Sequence, residues 1–337
     1  MRDENKYVYY YQRGKTNDCA YDKLLYHYSS LRFGESDLLR RHFKLSAPGG
    51  FNDPLDTVGC YKRYPTEEAF FKYFADMLFK DEVQEMRDWG CSNKTIWREY
   101  RRYVTSAYSG LMLSRNPLAQ NLMMSFCGVE NNVISDALLW AHYADGGKGM
   151  RIGMKFSEDD GYDIRPITYV GRMPSLDFHE LTKLDPSGSD FSEKLSEYHR
   201  DMIWSKHKAW KYEHEYRLST NTAERGYVEQ NENEMWFVKF QIERVQTVDF
   251  GCRAFGDNKY KADELFIRKA LSLHRKTGVP LNSFRKAEIR LGSYGYDYVA
   301  YDKVVGRFLR RYKIPEIRRK NSLRCPSEIR QSSSKNL

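Results

Sequence analysis

Residues 136–156 read DALLWAHYADGGKGMRIGMKF, and three textures follow one another inside that stretch. Asp136–Tyr143 has the spacing of a short helix, whereas Met150, Ile152, Met154 and Phe156 alternate as the residues of a strand do. Between them Gly146-Gly147-Lys148-Gly149 forms a turn. It is not a phosphate-cradling loop, which needs a Gly, four residues and then Gly-Lys-Ser/Thr. A helix feeding directly into an alternating strand sets the reading of the rest of the chain.

Upstream, Leu24–Tyr28 predicts a short buried strand, Ser36-Asp37-Leu38-Leu39 a cap opening a helical turn, and Phe43–Ser46 a second strand. Ala47-Pro48-Gly49-Gly50 closes that strand, and FNDPLD (Phe51 to Asp56) follows as a loop. From Thr66 to about Ser114 the spacing is helical, with Ala69, Phe70, Tyr73, Phe74, Met77 and Leu78 on one stripe and Ile96, Tyr100, Tyr103, Val104, Tyr108 and Leu111 on another. Strand texture resumes at Leu122–Cys127. Downstream, Pro166 to about Asp190 reads as loop and Phe191–Lys206 as helix. Glu215–Thr220, Trp236–Ile242 and Val245–Phe250 read as strands, and Ala262–Lys276 as helix. The order is neither a βαβ alternation nor an all-β run. The expected class is therefore α+β: a mixed, mainly antiparallel sheet core in one domain over residues 1–302, with a helical insertion at about 66–118 and a basic tail over 303–337.

Composition bounds the function. The 337 residues include 26 Tyr, 18 Phe and 6 Trp, far more burial than a solvated chain carries. Mean hydropathy is nevertheless low, −0.75, because Tyr packs while keeping a hydroxyl that needs a partner. No apolar run approaches the roughly 18 residues of a spanning helix, and the charged N-terminus lacks the pattern of an export signal. The six cysteines (Cys19, Cys60, Cys91, Cys127, Cys252, Cys325) show no paired spacing, so neither a disulfide framework nor a zinc site is signalled. A cytoplasmic protein with no membrane partner and no metal is expected.

Charge is concentrated at one end. Residues 303–337 hold 11 Lys or Arg against two Glu, so the preceding residues carry 55 − 11 = 44 basic and 46 − 2 = 44 acidic side chains. Such a tail suits nucleic acid or a ribonucleoprotein, although a solvated terminal helix has the same composition.

Three polar-aromatic clusters carry the candidate chemistry: Tyr26-His27-Tyr28, Trp140–Asp145 and Trp210–Arg217. Read as a strand, the last sets Glu213, Glu215 and Arg217 on one face and Tyr212, His214 and Tyr216 on the other. Two carboxylates beside one guanidinium can tune each other's pKa. The plainer alternative is an exposed charged strand face. Likewise His27 suits a core histidine as well as a ligand contact. A metal site from His142, His214 and the two Glu lacks any standard ligand spacing.

The motifs LYHYSSL (Leu25 to Leu31), FNDPLD, Ser125-Phe126, LWAHYADGGKG (Leu139 to Gly149), the Lys206…Trp210–Arg217 block and VDFG (Val248 to Gly251) together resemble a widespread prokaryotic family of unknown function, typified by FNDPFD, W-x-HYA and W-x-YE-x-E-x-R. The match runs in order over roughly residues 24–255, and the chain departs from it at Gly147, where members commonly carry His. The order of a His in an opening strand, a central Tyr and a final strand with Glu further resembles the ADP-ribosyltransferase superfamily. That resemblance implies NAD as substrate. Glu215 would bind the nicotinamide ribose and Glu213 would act as base toward the acceptor. His27 would bond the adenosine-side ribose and Tyr143 would stack on nicotinamide, with Tyr28, Ser29, His142 and Arg217 as further cofactor contacts. Carboxylates suit this chemistry because nicotinamide–ribose cleavage develops oxocarbenium charge. The family context implies a toxin or phage-defence effector acting on protein or nucleic acid. Two other classes stay open: a non-catalytic nucleic-acid-binding or regulatory module, and a metal-dependent nuclease using Asp53, Asp56, Glu213 and Glu215.

Overall fold

The computed structural model describes residues 20–21, 23–51, 53, 55–57, 59–62, 67–68, 71, 75, 80–100, 121–128, 133–177, 180, 184, 188–221 and 228–312. Its first elements in chain order are β1 (Leu24–Ser29), α1 (Leu31–Arg40), β2 (His42–Leu45), β3 (Cys60–Lys62), α2 (Lys80–Asp88) and β4 (Asn121–Cys127). Then come α3 (Val133–Tyr143), β5 (Met150–Lys155), β6 (Asp163–Pro166), β7 (Thr168–Val170), β8 (Ser175–Asp177), α4 (Ser189–Trp204) and β9 (Ser205–His207). The last are β10 (Glu215–Asn221), β11 (Val228–Gln230), β12 (Trp236–Lys239), β13 (Val245–Phe250), α5 (Lys259–Thr277), β14 (Phe284–Ile289), β15 (Tyr296–Ala300) and α6 (Tyr301–Arg311). Helices and a large, mixed, mostly antiparallel sheet make the class α+β. No helix among the described residues is long and apolar enough to cross a membrane.

The chain divides into two compact units, each assembled from separated stretches of sequence. The first draws on Met1–Ala20, Lys44–Ser125 and Gly161–Val238. In it β10 pairs antiparallel with β6, short parallel pairs join β3 to β8 and β7 to β9, and α4 packs its Tyr198, Met202 and Ile203 into a core with Met123, Ile167 and Leu176. Val83, Ile96 and Tyr100 bury in the same core, so the described helical residues 80–88 and 93–100 of the expected insertion do pack as helices. Most of the two stripes expected there lies outside the described residues.

The second unit draws on Tyr21–Phe43, Phe126–Asp160 and Lys239–Leu337. Its strands run β15-β14-β13-β5-β1, antiparallel except for β13–β14, whose parallel pairing is bridged by α5. β5 is buried along Met150–Met154, and Gly153 has no side chain for a steric reason. A Cβ there would stand 2.4 Å from Thr247 Oγ1 and 2.9 Å from the Tyr26 ring. α5 starts where Asn258 accepts hydrogen bonds from the Tyr260 and Lys261 amides, and it ends at Gly278 with φ 85°.

Several boundaries differ from the sequence reading. α1 begins at Leu31, so Ser36 lies inside the helix and does not open it. The stretch read as loop after Pro166 contains β7 and β8, whose three residues each are too short to show a period. β14 and β15 were not anticipated, since FRKAEI mixes charge into an otherwise apolar strand. The first nine residues of the expected tail belong to α6, with Val304, Val305 and Leu309 buried. The rest of it, 313–337, lies outside the described residues.

Candidate functional site

β10 starts at Glu215, where the sequence places that strand, so the alternation read over Trp210–Arg217 does not extend back through Trp210–His214. Lys208–Glu213 is a 3-10 turn, and His214 adopts a left-handed conformation with φ 45° before β10 begins. Turning the chain there brings the Glu213 and Glu215 carboxylates to the same ammonium. Lys206 Nζ donates to Glu213 Oε2 at 2.7 Å and to Glu215 Oε2 at 3.1 Å. Lys206 sits on β9 opposite Tyr169 of β7, and the Tyr169 hydroxyl accepts from the Glu215 amide at 2.8 Å.

Two residues on, Arg217 uses the whole guanidinium. Its Nε and Nη2 donate to Glu215 Oε1 at 3.0 and 2.8 Å, Nη2 also reaches both oxygens of Asp56 at 3.1 and 3.0 Å, and Nη1 donates to the Ile203 carbonyl at 2.6 Å. Ser125 of β4 donates to Glu215 Oε1 at 2.6 Å. Aromatic rings cover the cations, Trp210 at 5.0 Å from Lys206 Nζ and Phe51 at 5.0 Å from the Arg217 guanidinium. Asp56, Lys206, Glu213, Glu215 and Arg217 are all buried, Arg217 with 0% exposure. The alternative of an exposed charged face is thereby overturned: Ser125 and Asp56, distant in sequence, cap it.

With all five groups ionised the cluster holds three negative and two positive charges. Burial opposes the charge on Glu215, but Arg217, Lys206 and the Ser125 hydroxyl outweigh it and hold the carboxyl down at about 2. Asp56 moves the other way, raised by burial against the pull of Arg217. Lys206 is held more basic than a free lysine: its three carboxylate neighbours outweigh its burial. The arrangement keeps Glu215 ionised and fixes its orientation.

The remaining expected site residues belong to the second unit and sort onto two sheet faces. Tyr28, Arg151, Asp249 and Arg285 are successive cross-strand partners over β1, β5, β13 and β14. Arg151 donates from Nε to Asp249 at 2.7 Å and from Nη1 to Tyr28 Oη and Asp136 Oδ1 at 2.7 Å each. Tyr28 donates to Asp136 at 2.7 Å, Tyr298 donates to the other Asp136 oxygen, and Trp140 Nε1 donates to Tyr298 Oη at 2.8 Å. The Arg151 guanidinium lies 4.1 Å from the rings of both Tyr26 and Tyr298. Burial raises the Tyr28 hydroxyl well above its usual range, so it stays a neutral donor.

His27, one residue from Tyr28, points to the opposite face, as strand alternation requires. There it packs edge-on against Phe43 and Phe126 at 5.1 and 6.1 Å. Ser29 is buried under the first turn of α1, where a Cβ at Gly34 would stand 2.7 Å from its hydroxyl. Tyr143 and His142 end α3 with their rings 6.2 Å apart. In the glycine turn after them the amides turn inward, Gly147 and Gly149 both donating to the Ala144 carbonyl and Lys148 to that of Asp145. Its carbonyls hold the chain at 251–253, Gly149 accepting from Gly251 and Gly147 from Arg253, each at 2.9 Å.

Sequence reasoning gave Asp53 and Asp56 a role only in the nuclease alternative and named Ser125 only as part of a motif. Asp53 accepts from the Leu55 amide as a turn residue does, while Asp56 and Ser125 join the Arg217 cluster. It missed Tyr169, Asp136, Arg151, Asp249 and Tyr298. The usable signal was an ionisable residue inside an apolar strand, Arg151 in MRIGM and Asp249 in TVDF. Among the described residues no group of three His, Cys, Asp or Glu is placed to hold a metal ion.

No family model matches the chain, and no curated protein or solved structure matches it significantly. The resemblances are carried by the motif residues alone.

Proposed function

We propose that the chain is an NAD-consuming enzyme of ADP-ribosyltransferase type, with Glu215 as the carboxylate that stabilises the developing oxocarbenium ion and Glu213 as the base toward a protein or nucleic-acid acceptor. The observation that supports the reading is a carboxylate kept ionised inside a buried, net-negative cluster. Buried ion pairs are poor stabilisers relative to apolar packing, whereas a preorganised buried carboxylate is what charge development at a ribose carbon requires. In this reading Arg217 is a positioning residue and not a cofactor contact, because its guanidinium is committed to Glu215, Asp56 and the Ile203 carbonyl. The NAD contacts expected of His27, Tyr28, Ser29, His142 and Tyr143 form no part of this proposal: these residues belong to the second unit, and the Tyr28 hydroxyl is committed to Asp136 and Arg151.

A second reading is favoured by one specific observation: Glu215 is 2% exposed and both its oxygens accept hydrogen bonds from protein donors. On that reading the cluster only supports the fold of a non-catalytic module. Nicotinamide release from labelled NAD separates the two. Glu215→Gln should lower release by about 100-fold or more with an unchanged circular-dichroism spectrum. No release by the wild-type chain, or release that survives Glu215→Gln, overturns the enzymatic reading.

A further inference from the structure

We infer that the outer surface of α5 and α6 binds single-stranded nucleic acid, through cations that grip phosphates and a tyrosine on which a base stacks. The inference stands independently of the NAD reading and rests on the second unit alone. α5 and α6 together carry ten Lys or Arg against three Asp or Glu. The helices run antiparallel, since Arg307 and Arg311 near the end of α6 meet Asp263 and Tyr260 near the start of α5.

Seven of the ten cations divide by role, Lys259 among them reaching Glu288 at 3.9 Å. Lys269 pairs with Glu35, Arg268 with Glu264, and Arg307 with Asp263 at 2.8 Å and with Glu288. Arg307 is thus the bolt that fixes α6, working with the buried Tyr301, Val304, Val305 and Leu309. By contrast, among the described residues Lys261, Arg310 and Arg311 are exposed with no acidic partner. At that same end Tyr260 is 50% and Tyr312 54% exposed. Arg311 lies over the Tyr260 ring, and Tyr312 is braced by Phe308 with ring centroids 4.7 Å apart.

Unpaired cations interleaved with half-exposed, braced aromatic rings fit one ligand chemistry. Duplex DNA hides its base faces, whereas a single strand offers phosphates to Lys261 and Arg310 and a base face to Tyr312, with Arg311 stacked on Tyr260 beside them. An acidic protein would satisfy the cations and leave Tyr312 unused. The 25 residues after Tyr312 add seven more Lys or Arg against two Glu, so the sequence continues with the same sign of charge.

The test uses the full-length chain with fluorescently labelled 15-mers of rU and dT and a duplex of equal length, titrated by anisotropy over a salt series. Tyr312→Ala should weaken single-strand binding about 5- to 150-fold, as expected for one lost stacking contact, with an unchanged salt slope. Lys261→Ala/Arg310→Ala should flatten the slope of log K against log salt by about 1.4, two contacts at roughly 0.7 each. Arg307→Ala should lower Tm and leave that slope alone. The inference is overturned if the duplex binds as tightly as the single strands, if polyglutamate competes equally, or if the tyrosine and the double variant both bind as wild type. Comparing rU with dT then names the sugar.

Discussion

Replacing Arg217 by Leu tests whether the carboxylate cluster is one electrostatic unit. The guanidinium supplies five hydrogen bonds to Glu215, Asp56 and the Ile203 carbonyl, and its loss leaves three carboxylates facing Lys206 alone among the cluster's cations. The cluster charge goes from −1 to −2, by the count of Asp56, Glu213 and Glu215 against Lys206 and Arg217. Removing one partner of a buried pair costs about 3–5 kcal/mol, and at roughly 2–4 °C per kcal/mol the expected fall in Tm at pH 7.5 is about 6–20 °C. The sign of the pH dependence follows from Glu215. With Arg217 present its carboxyl is held at about 2; without it, burial dominates and the folded-state pKa rises above the unfolded value. The variant then recovers stability as pH falls and Glu215 takes up a proton, so the gap to wild type should shrink between pH 7.5 and 5. Thermal melts followed by circular dichroism at both pH values read this directly. A gap below about 1 kcal/mol at pH 7.5, or one that stays constant down to pH 5, would refute the coupled-cluster account.

Three further outcomes are expected. In wild type the depressed Glu215 pKa contributes about 3 kcal/mol that is fully present above pH 4.5 and lost as pH falls toward 2; Glu215→Gln should show no such loss in acid melts. Burial raises Asp37 on α1 to about 7, so the wild-type chain loses stability as pH rises from 4 through 7, and Asp37→Asn should gain up to about 4 kcal/mol at pH 8 and nothing at pH 3. An equal effect at both pH values in urea titrations would sink that reasoning. Trp140→Phe removes the donor to Tyr298 Oη and should cost about 1–3 kcal/mol, whereas a neutral result would mean that the hydroxyl finds another donor.

Sequence alone determined the elements that carry strong periodicity and the residue types that carry chemistry. Met150–Phe156 alternates, Ala262–Lys276 has helical spacing, and WKYEHEYR places acids, cations and aromatic rings in one short run. These features are legible because they depend on neighbours within a few residues. What sequence left open was which groups meet. Glu213 and Glu215 share Lys206 because His214 takes a left-handed turn, a conformation only a few per cent of non-Gly residues adopt even though His is enriched among them. Asp56 and Ser125 reach Arg217 and Glu215 from 161 and 90 residues away, and Asp249 meets Arg151 through strand register. Tertiary structure also decided burial: the acids of Trp210–Arg217 read more plainly as a solvated strand face, and β4, β9 and the loop at Asp56 enclose them. Likewise α6 was hidden inside a run of arginines, because a helix with four buried positions among cations shows its period only once Asp263 and Glu288 are there to receive Arg307. Local propensity is written in consecutive residues, whereas desolvation and ion pairing depend on distant parts of the chain arriving at the same place.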